Sequence, residues 1–159
     1  MIVADISYSS TRTIEQAPAV VHDRVLELAR RLRDEAPTVP PGSGPASMLG
    51  VTGQLDVEIG DRGPNRIELR TTEGRIRVEA AADVIGRPDG RTDLTIGATI
   101  RPQGMGASLM LSAALGARPE IRQRVENGIE AAMDDLATEL AKPDDQWDAS
   151  SWNPPGLGS

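Results

Sequence analysis

Apolar and polar residues alternate from the first positions of the chain. Ile2, Ala4, Ile6 and Tyr8 fall on one side, Val3, Asp5, Ser7 and Ser9 mostly on the other, and Ser10 and Arg12 continue the first row. A period of two predicts a strand ending near Ile14. Ala17-Pro18 then opens a helix, because proline suits the first turn. Val21, Val25, Leu28 and Leu32 recur at helical spacing over about 18–35, with Arg24, Arg30, Arg31 and Arg33 mostly on the wet side. Residues 37–47 are rich in Pro, Gly and Ser and read as a loop.

From Leu49 the period returns to two. Leu49, Val51, Leu55, Val57 and Ile59 face one way in the first of four strands, Thr52, Gln54, Asp56 and Glu58 the other. Ile67 and Leu69 mark the second strand, with Thr71 ending its inward row. Ile76, Val78, Ala80, Ala82 and Val84 mark the third, opposite Arg75, Arg77, Glu79 and Asp83. Leu94, Ile96, Ala98 and Ile100 mark the fourth. Turn residues at 60–65, 73–74 and 87–90 separate them. This is an antiparallel meander with one dry face. After it comes an apolar run, 104–119, and then a long helix whose stripe is Ile121, Val125, Ile129, Met133, Leu136 and Leu140. A sheet with one dry face needs a cover, and this stripe is the element long enough to provide it. The expected fold is α+β: a curved antiparallel sheet of about five strands around a long C-terminal helix. Residues 1–142 form the domain, and 143–159 a polar, flexible tail carrying Trp147 and Trp152.

Composition sharpens the picture. Aromatic residues are 2% of the chain and Phe is absent, so Val, Ile, Leu, Ala and Met must build the core. Gly53, Ala80, Ala82 and Ala98 are small inward residues that either let the helix pack close or leave space. The net charge of −7 argues against a nucleic-acid binder and against docking on an anionic membrane. There is no Cys and one His, His22, which removes thiolate chemistry and a His-only metal cluster. No run reaches the roughly 20 apolar residues of a spanning helix, and residues 1–10 lack the basic start of a signal peptide. The expectation is a cytoplasmic protein without integral membrane association, metal or cofactor.

Two segments, Arg12–Leu28 ("RTIEQAPAVVHDRVLEL") and Gly90–Ile100 ("GRTDLTIGATI"), together with the apolar Gly-containing lead into the last helix, resemble the START/SRPBCC superfamily. This is the helix-grip group of polyketide cyclase-like, Bet v 1-like and lipid-transfer domains. The resemblance covers most of residues 2–141 and rests chiefly on the order of elements. His22 stands where many members have Trp. Four meander strands stand where six are usual, which implies a truncated sheet and a smaller cavity. The resemblance implies a pocket for a small hydrophobic molecule between sheet and helix. Its walls would come from Val57, Leu69, Val78, Ala80, Ile96 and Ala98 on the sheet and from Ile129 and Met133 on the helix. Met105, Leu109 and Met110 would close one end, and Tyr8 and Arg12 would be its polar members.

Each candidate also has an ordinary explanation. Interiors are close-packed, so the small residues are equally compatible with a filled core. An inward Arg12 needs a partner or an anionic ligand, or strand curvature turns it out to water. Tyr8 suits a half-buried core position, and His22 the flank of the first helix. The acidic residues late in the long helix, Glu130, Asp134, Asp135 and Glu139, read as a solvated face. The early Arg118, Arg122 and Arg124 read the same way, or as contacts for a partner or head group. No carboxylates converge as acid–base or metal chemistry requires. The run from Met105 to Leu115 is apolar on nearly all sides of a helix and is expected to be buried, with part of its outer face available to a homodimer. Three functions stay open: a non-enzymatic binder, a polyketide cyclase- or dehydratase-like enzyme, and a ligand-free interaction module. The scarcity of acid–base groups on the inward faces favours the binder.

Overall fold

The computed structural model describes residues 6–36, 38–39, 53–54, 56–63, 65–72, 76–107, 109, 116 and 119–152. Strand β1 (Ile6–Ile14) leads into helix α1 (Pro18–Glu35). A short ladder joins β2 (Thr38–Val39) to β3 (Gly53–Gln54). The meander is β4 (Val57–Asp61), β5 (Arg66–Thr71), β6 (Ile76–Gly86) and β7 (Thr92–Pro102). Helix α2 (Glu120–Leu140) follows. The main sheet has five antiparallel strands in the order β1-β7-β6-β5-β4. This is the α+β architecture that the alternation predicts. The meander's first strand is shorter than expected at Val57–Asp61, and Leu49, Val51 and Leu55 lie outside the described residues.

The register lays the inward residues in rows across the strands. Tyr8 stands opposite Ala98, Ala98 opposite Ala80, Ala80 opposite Leu69, and Leu69 opposite Ile59. Two apolar clusters flank this row. One gathers Ile14, Val21, Val25, Leu28, Ile67, Val84, Leu94, Met133, Leu136 and Leu140 at the α1 end. The other gathers Ile6, Ile76, Ile100, Ala107, Ile121 and Val125 at the opposite end. The two helices divide the work of covering the sheet: α2 makes its close approach at β1, and α1 at β4, β5 and β6. At Gly86 the chain passes so near α1 that a Cβ would sit 2.9 Å from the Pro18 ring, which only glycine avoids.

Three expectations are corrected here. Arg24 does not face water but is 4% exposed. Its Nη1 donates to the carbonyls of Leu140 (2.9 Å) and Lys142 (2.6 Å), and its Nη2 to Asp144 (2.6 Å). The guanidinium thus satisfies carbonyls that the C-terminus of α2 leaves open, and it lies 4.9 Å from the centre of the Trp147 ring. The polar tail is therefore not free between Asp144 and Trp152. Two 3₁₀ turns, Asp144–Gln146 and Ala149–Ser151, follow α2, and the second packs on α1. Trp147 Nε1 donates to Glu27, and Arg31 donates to the carbonyls of Ala149 and Trp152. Glu139, expected on the wet face, is buried, pairing with Lys142 at 2.8 Å and accepting from Ser151.

Arg24→Met should lower stability by about 3 kcal/mol, because two carbonyls lose a charged donor. Arg30→Ala, at an exposed position of the same helix, should stay within about 0.5 kcal/mol. Urea denaturation compares them. Equal losses would show that the α1–α2 tie carries no weight.

Candidate functional site

The row Tyr8, Ala98, Ala80, Leu69 and Ile59 differs from the rows around it. All five residues are only half-buried, although they lie on the face that α2 covers. The physical cause is the placement of the helix. α2 makes its close approach at the β1 side of the sheet, and the small side chains of β6 and β7 in this row stay half-buried. Ile129 of α2 is half-buried too and touches both apolar clusters. The arrangement is a half-buried band of alanine and aliphatic side chains, the gap in burial between two packed ends.

One side of the gap is polar. Tyr8 Oη donates to Glu130 Oε1 at 2.6 Å. Arg12 Nη2 donates to Glu130 Oε2 at 2.7 Å and to the Glu130 carbonyl at 3.4 Å. Its Nε donates to Asp134 Oδ1 at 2.9 Å, and its Nη1 to Ser10 Oγ at 2.7 Å and to the Thr11 carbonyl at 3.0 Å. A guanidinium carries five N–H donors, and these contacts engage all of them. The Tyr8 hydroxyl, then Arg12, then Ser10 hold the Glu130 carboxyl at about 2, below the usual carboxylate range. The same carboxylate raises the Tyr8 hydroxyl above its ordinary value, through their hydrogen bond first. At neutral pH Glu130 is thus ionised and Tyr8 protonated.

The sequence-predicted residues are brought together in part. Tyr8, Ala98, Ala80 and Leu69 share the half-buried row. Val78 and Ile96 are half-buried in the rows on either side. Val57 is buried opposite Thr71, and Met133 is buried in the cluster at the α1 end. Arg12 points inward, so it is not turned out by strand curvature. Met105 and Leu109 depart from expectation: they are 74% and 52% exposed. Residues 104–107 make one helical turn, which buries Ala107 and sends Met105 outward. Met110 lies outside the described residues. His22 stands away from the row, with side-chain exposure of 13% between Asp23 (3.7 Å) and Asp61 (3.6 Å). Among the described residues no group of three or more His, Cys, Asp or Glu could hold a metal ion.

Sequence reasoning missed Glu130, Asp134 and Ile59. The signal for the carboxylates was the inward row Tyr8-Ser10-Arg12, three polar side chains that a buried face cannot accept without acceptors.

A second concavity, of about 770 Å³, opens on the other face of the sheet, around Gly60, Ala81 and Gly97. Its charges pair among themselves: Arg66 with Glu68 (3.0 Å) and Asp83 (2.8 Å), Arg70 with Glu58 (2.8 Å), Arg101 with Glu79 (3.6 Å). It is a solvated trough whose lining is mostly charged and polar, with Ile59, Ala80 and Ala81 as its apolar members, so it is the weaker candidate for a small hydrophobic molecule.

The di-domain ARO/CYC protein BexL from the BE-7585A biosynthetic pathway superposes with a TM-score of 0.56 at 17% identity, over 88% of this chain and 51% of that one. The di-domain ARO/CYC protein StfQ from the steffimycin pathway gives 0.53 at 14% identity, over 87% and 50%. This chain thus spans about half the length of both. A Thalictrum norcoclaurine synthase point mutant gives 0.51 at 10% identity, over 89% of this chain and 97% of that one. No protein-family model and no curated protein matches the sequence. The likeness establishes the fold alone: an antiparallel sheet wrapped around a long C-terminal helix, a helix-grip domain.

The pH dependence of the polar side follows from the direction of the Glu130 shift. A carboxyl depressed in the folded state adds stability that is present above its unfolded value near 4.5 and is lost as pH falls toward 2. The melting midpoint of Glu130→Gln should therefore lie below that of the parent at pH 7. The difference should close between about pH 4.5 and 2. A difference that stays constant over that range would mean that the ionised carboxylate is not what holds β1 to α2.

Proposed function

We propose that the chain binds a small hydrophobic molecule in the gap between the sheet and α2 and does not transform it. The observation that carries this reading is the half-buried row Tyr8-Ala98-Ala80-Leu69-Ile59 between two packed apolar clusters. A mostly apolar recess with a few convergent polar groups is the usual form of a small-molecule site. Helix-grip neighbours described as aromatase/cyclases and as a synthase also support a site for an organic molecule in this fold.

A cyclase-like enzyme is the second reading, favoured by the same neighbours and by a tyrosine and a carboxylate at the gap. The chemistry of that pair speaks for the binder. A general base needs a free lone pair aimed at a substrate proton and an affinity matched to the working pH. Glu130 instead accepts from Tyr8 and Arg12 and is held as a weak base. The Tyr8 hydroxyl keeps its proton and donates its hydrogen bond to Glu130. His22, the chain's single histidine, stands at the contact of α1 with Asp61 of β4.

Saturating ligand raises the melting temperature by mass action, by roughly 5–10 °C at a hundredfold excess over Kd. A panel of aliphatic alcohols, sterols and aromatic polyketides should contain at least one compound that does so. Ala98→Leu, which fills the middle of the gap, should fold and lose at least tenfold in that affinity. If the panel leaves the parent unmoved, or if Ala98→Leu binds as the parent does, the gap is not the site.

A further inference from the structure

The charges around the gap say what kind of hydrophobic molecule it accepts, a point that rests on the ligand-binding reading above. On the described inward strand positions Arg12 is the one basic residue. Its five N–H groups are taken by Glu130, Asp134, Ser10 and Thr11, so it has none left for a ligand carboxylate. Glu130 and Asp134 together outweigh its single charge. Glu126, one turn before Glu130, is half-buried and close enough to act electrostatically on Tyr8. One cation against three carboxylates leaves a net charge of −2 on this side of the gap. Like charges brought close repel, the more so where one is carried into the half-buried row, and burying an ionised group without a partner is costly. The remaining walls are methyl and aliphatic surface, which offers an anion nothing.

We propose that the gap selects neutral or cationic apolar molecules and excludes anionic amphiphiles such as fatty acid carboxylates, with Arg12, Glu130 and Asp134 as the residues that set this preference. The geometry gives each a distinct part. Arg12 is the group that could receive a carboxylate, and Glu130 and Asp134 occupy it. Glu126 adds negative potential beside Tyr8 and is not among the Arg12 hydrogen-bond partners described above.

The test uses three probes with the same twelve-carbon tail: dodecanol below its solubility limit, and dodecylamine and dodecanoate below their micelle concentrations, at pH 7.5, with Kd measured by calorimetry on the full chain. Dodecanol and dodecylamine should bind, and dodecanoate should bind at least tenfold more weakly than dodecanol. In Glu130→Gln, which frees part of the guanidinium and removes one negative charge, the ratio of dodecanoate Kd to dodecanol Kd should fall at least tenfold. Should Glu130→Gln not fold, Asp134→Asn, at a carboxylate with 71% side-chain exposure, should shift the ratio in the same direction. Dodecanoate binding as tightly as dodecanol to the parent, or a ratio unmoved in the folded variant, overturns the charge selection while leaving the cavity intact. Failure of all three probes to bind overturns the cavity reading, and the selection falls with it.

Discussion

The inner face depends on how α2 is held, and above all on the contact of Tyr8 and Arg12 with Glu130 and Asp134. A helix drawn to a sheet by apolar burial alone would settle over its middle, where the most surface can be removed from water. Here the middle offers small side chains, Ala80 and Ala98, and the directional contacts lie at the side of the sheet. Charge-assisted hydrogen bonds are short and fix orientation as well as distance. They set the helix over β1, leave β4, β5 and β6 to be approached by α1, and leave the row between the two apolar clusters half-buried. Arg24 fixes the far end of the same helix by holding its last carbonyls. Two guanidinium groups thus do what a row of Phe or Leu would do in a filled core.

This division explains how much of the molecule could be read beforehand. Strand alternation placed Tyr8, Ala80, Leu69 and Ala98 on one face, and the i, i+4 stripe from Ile121 to Leu140 placed the covering helix. Both are local periodicities, and both survive in the fold. Pairings across the chain are another matter. Arg24 lies beside Val21, Val25 and Leu28 on its helix, and only the position of the α2 terminus makes it a cap. Glu130 lies beside Ile129, so its helix alone cannot tell a solvated flank from an inward one. The tail with Trp147 reads as polar and loose until Arg24 and Glu27 are known to meet it. The apolar turn at Met105 misled for the opposite reason: composition counted greasy residues but could not say which of them one short turn exposes.

The same polar contacts bear on what the gap can do. Groups that catalyse are usually left with an unmet hydrogen-bonding capacity, because the substrate is to meet it. In this cluster the donors of Arg12 and the hydroxyl of Tyr8 are already engaged, and Glu130 is stabilised in its charged form. Such a cluster is held together by its own contacts, and it sets a fixed pattern of charge beside the half-buried row. The trough on the other face shows the contrasting use of similar residues. There the ion pairs of Arg66 with Asp83, Arg70 with Glu58 and Arg101 with Glu79 join neighbouring strands of the sheet to one another, whereas Arg12 joins the sheet to a helix.

Arg12 has one more consequence, for how the protein keeps to itself. Strand β1 is nine residues long and forms an outer strand of the sheet. A regular outer strand presents free amide and carbonyl groups to any other extended chain, and this is a common start of aggregation. A strand added beside β1 would have to set its inward side chains next to Arg12, Glu130 and Asp134. Apolar residues, which such a strand would need in order to extend the buried face, do not enter that surrounding without loss. An inward charge at the rim thus guards the fold against runaway sheet growth.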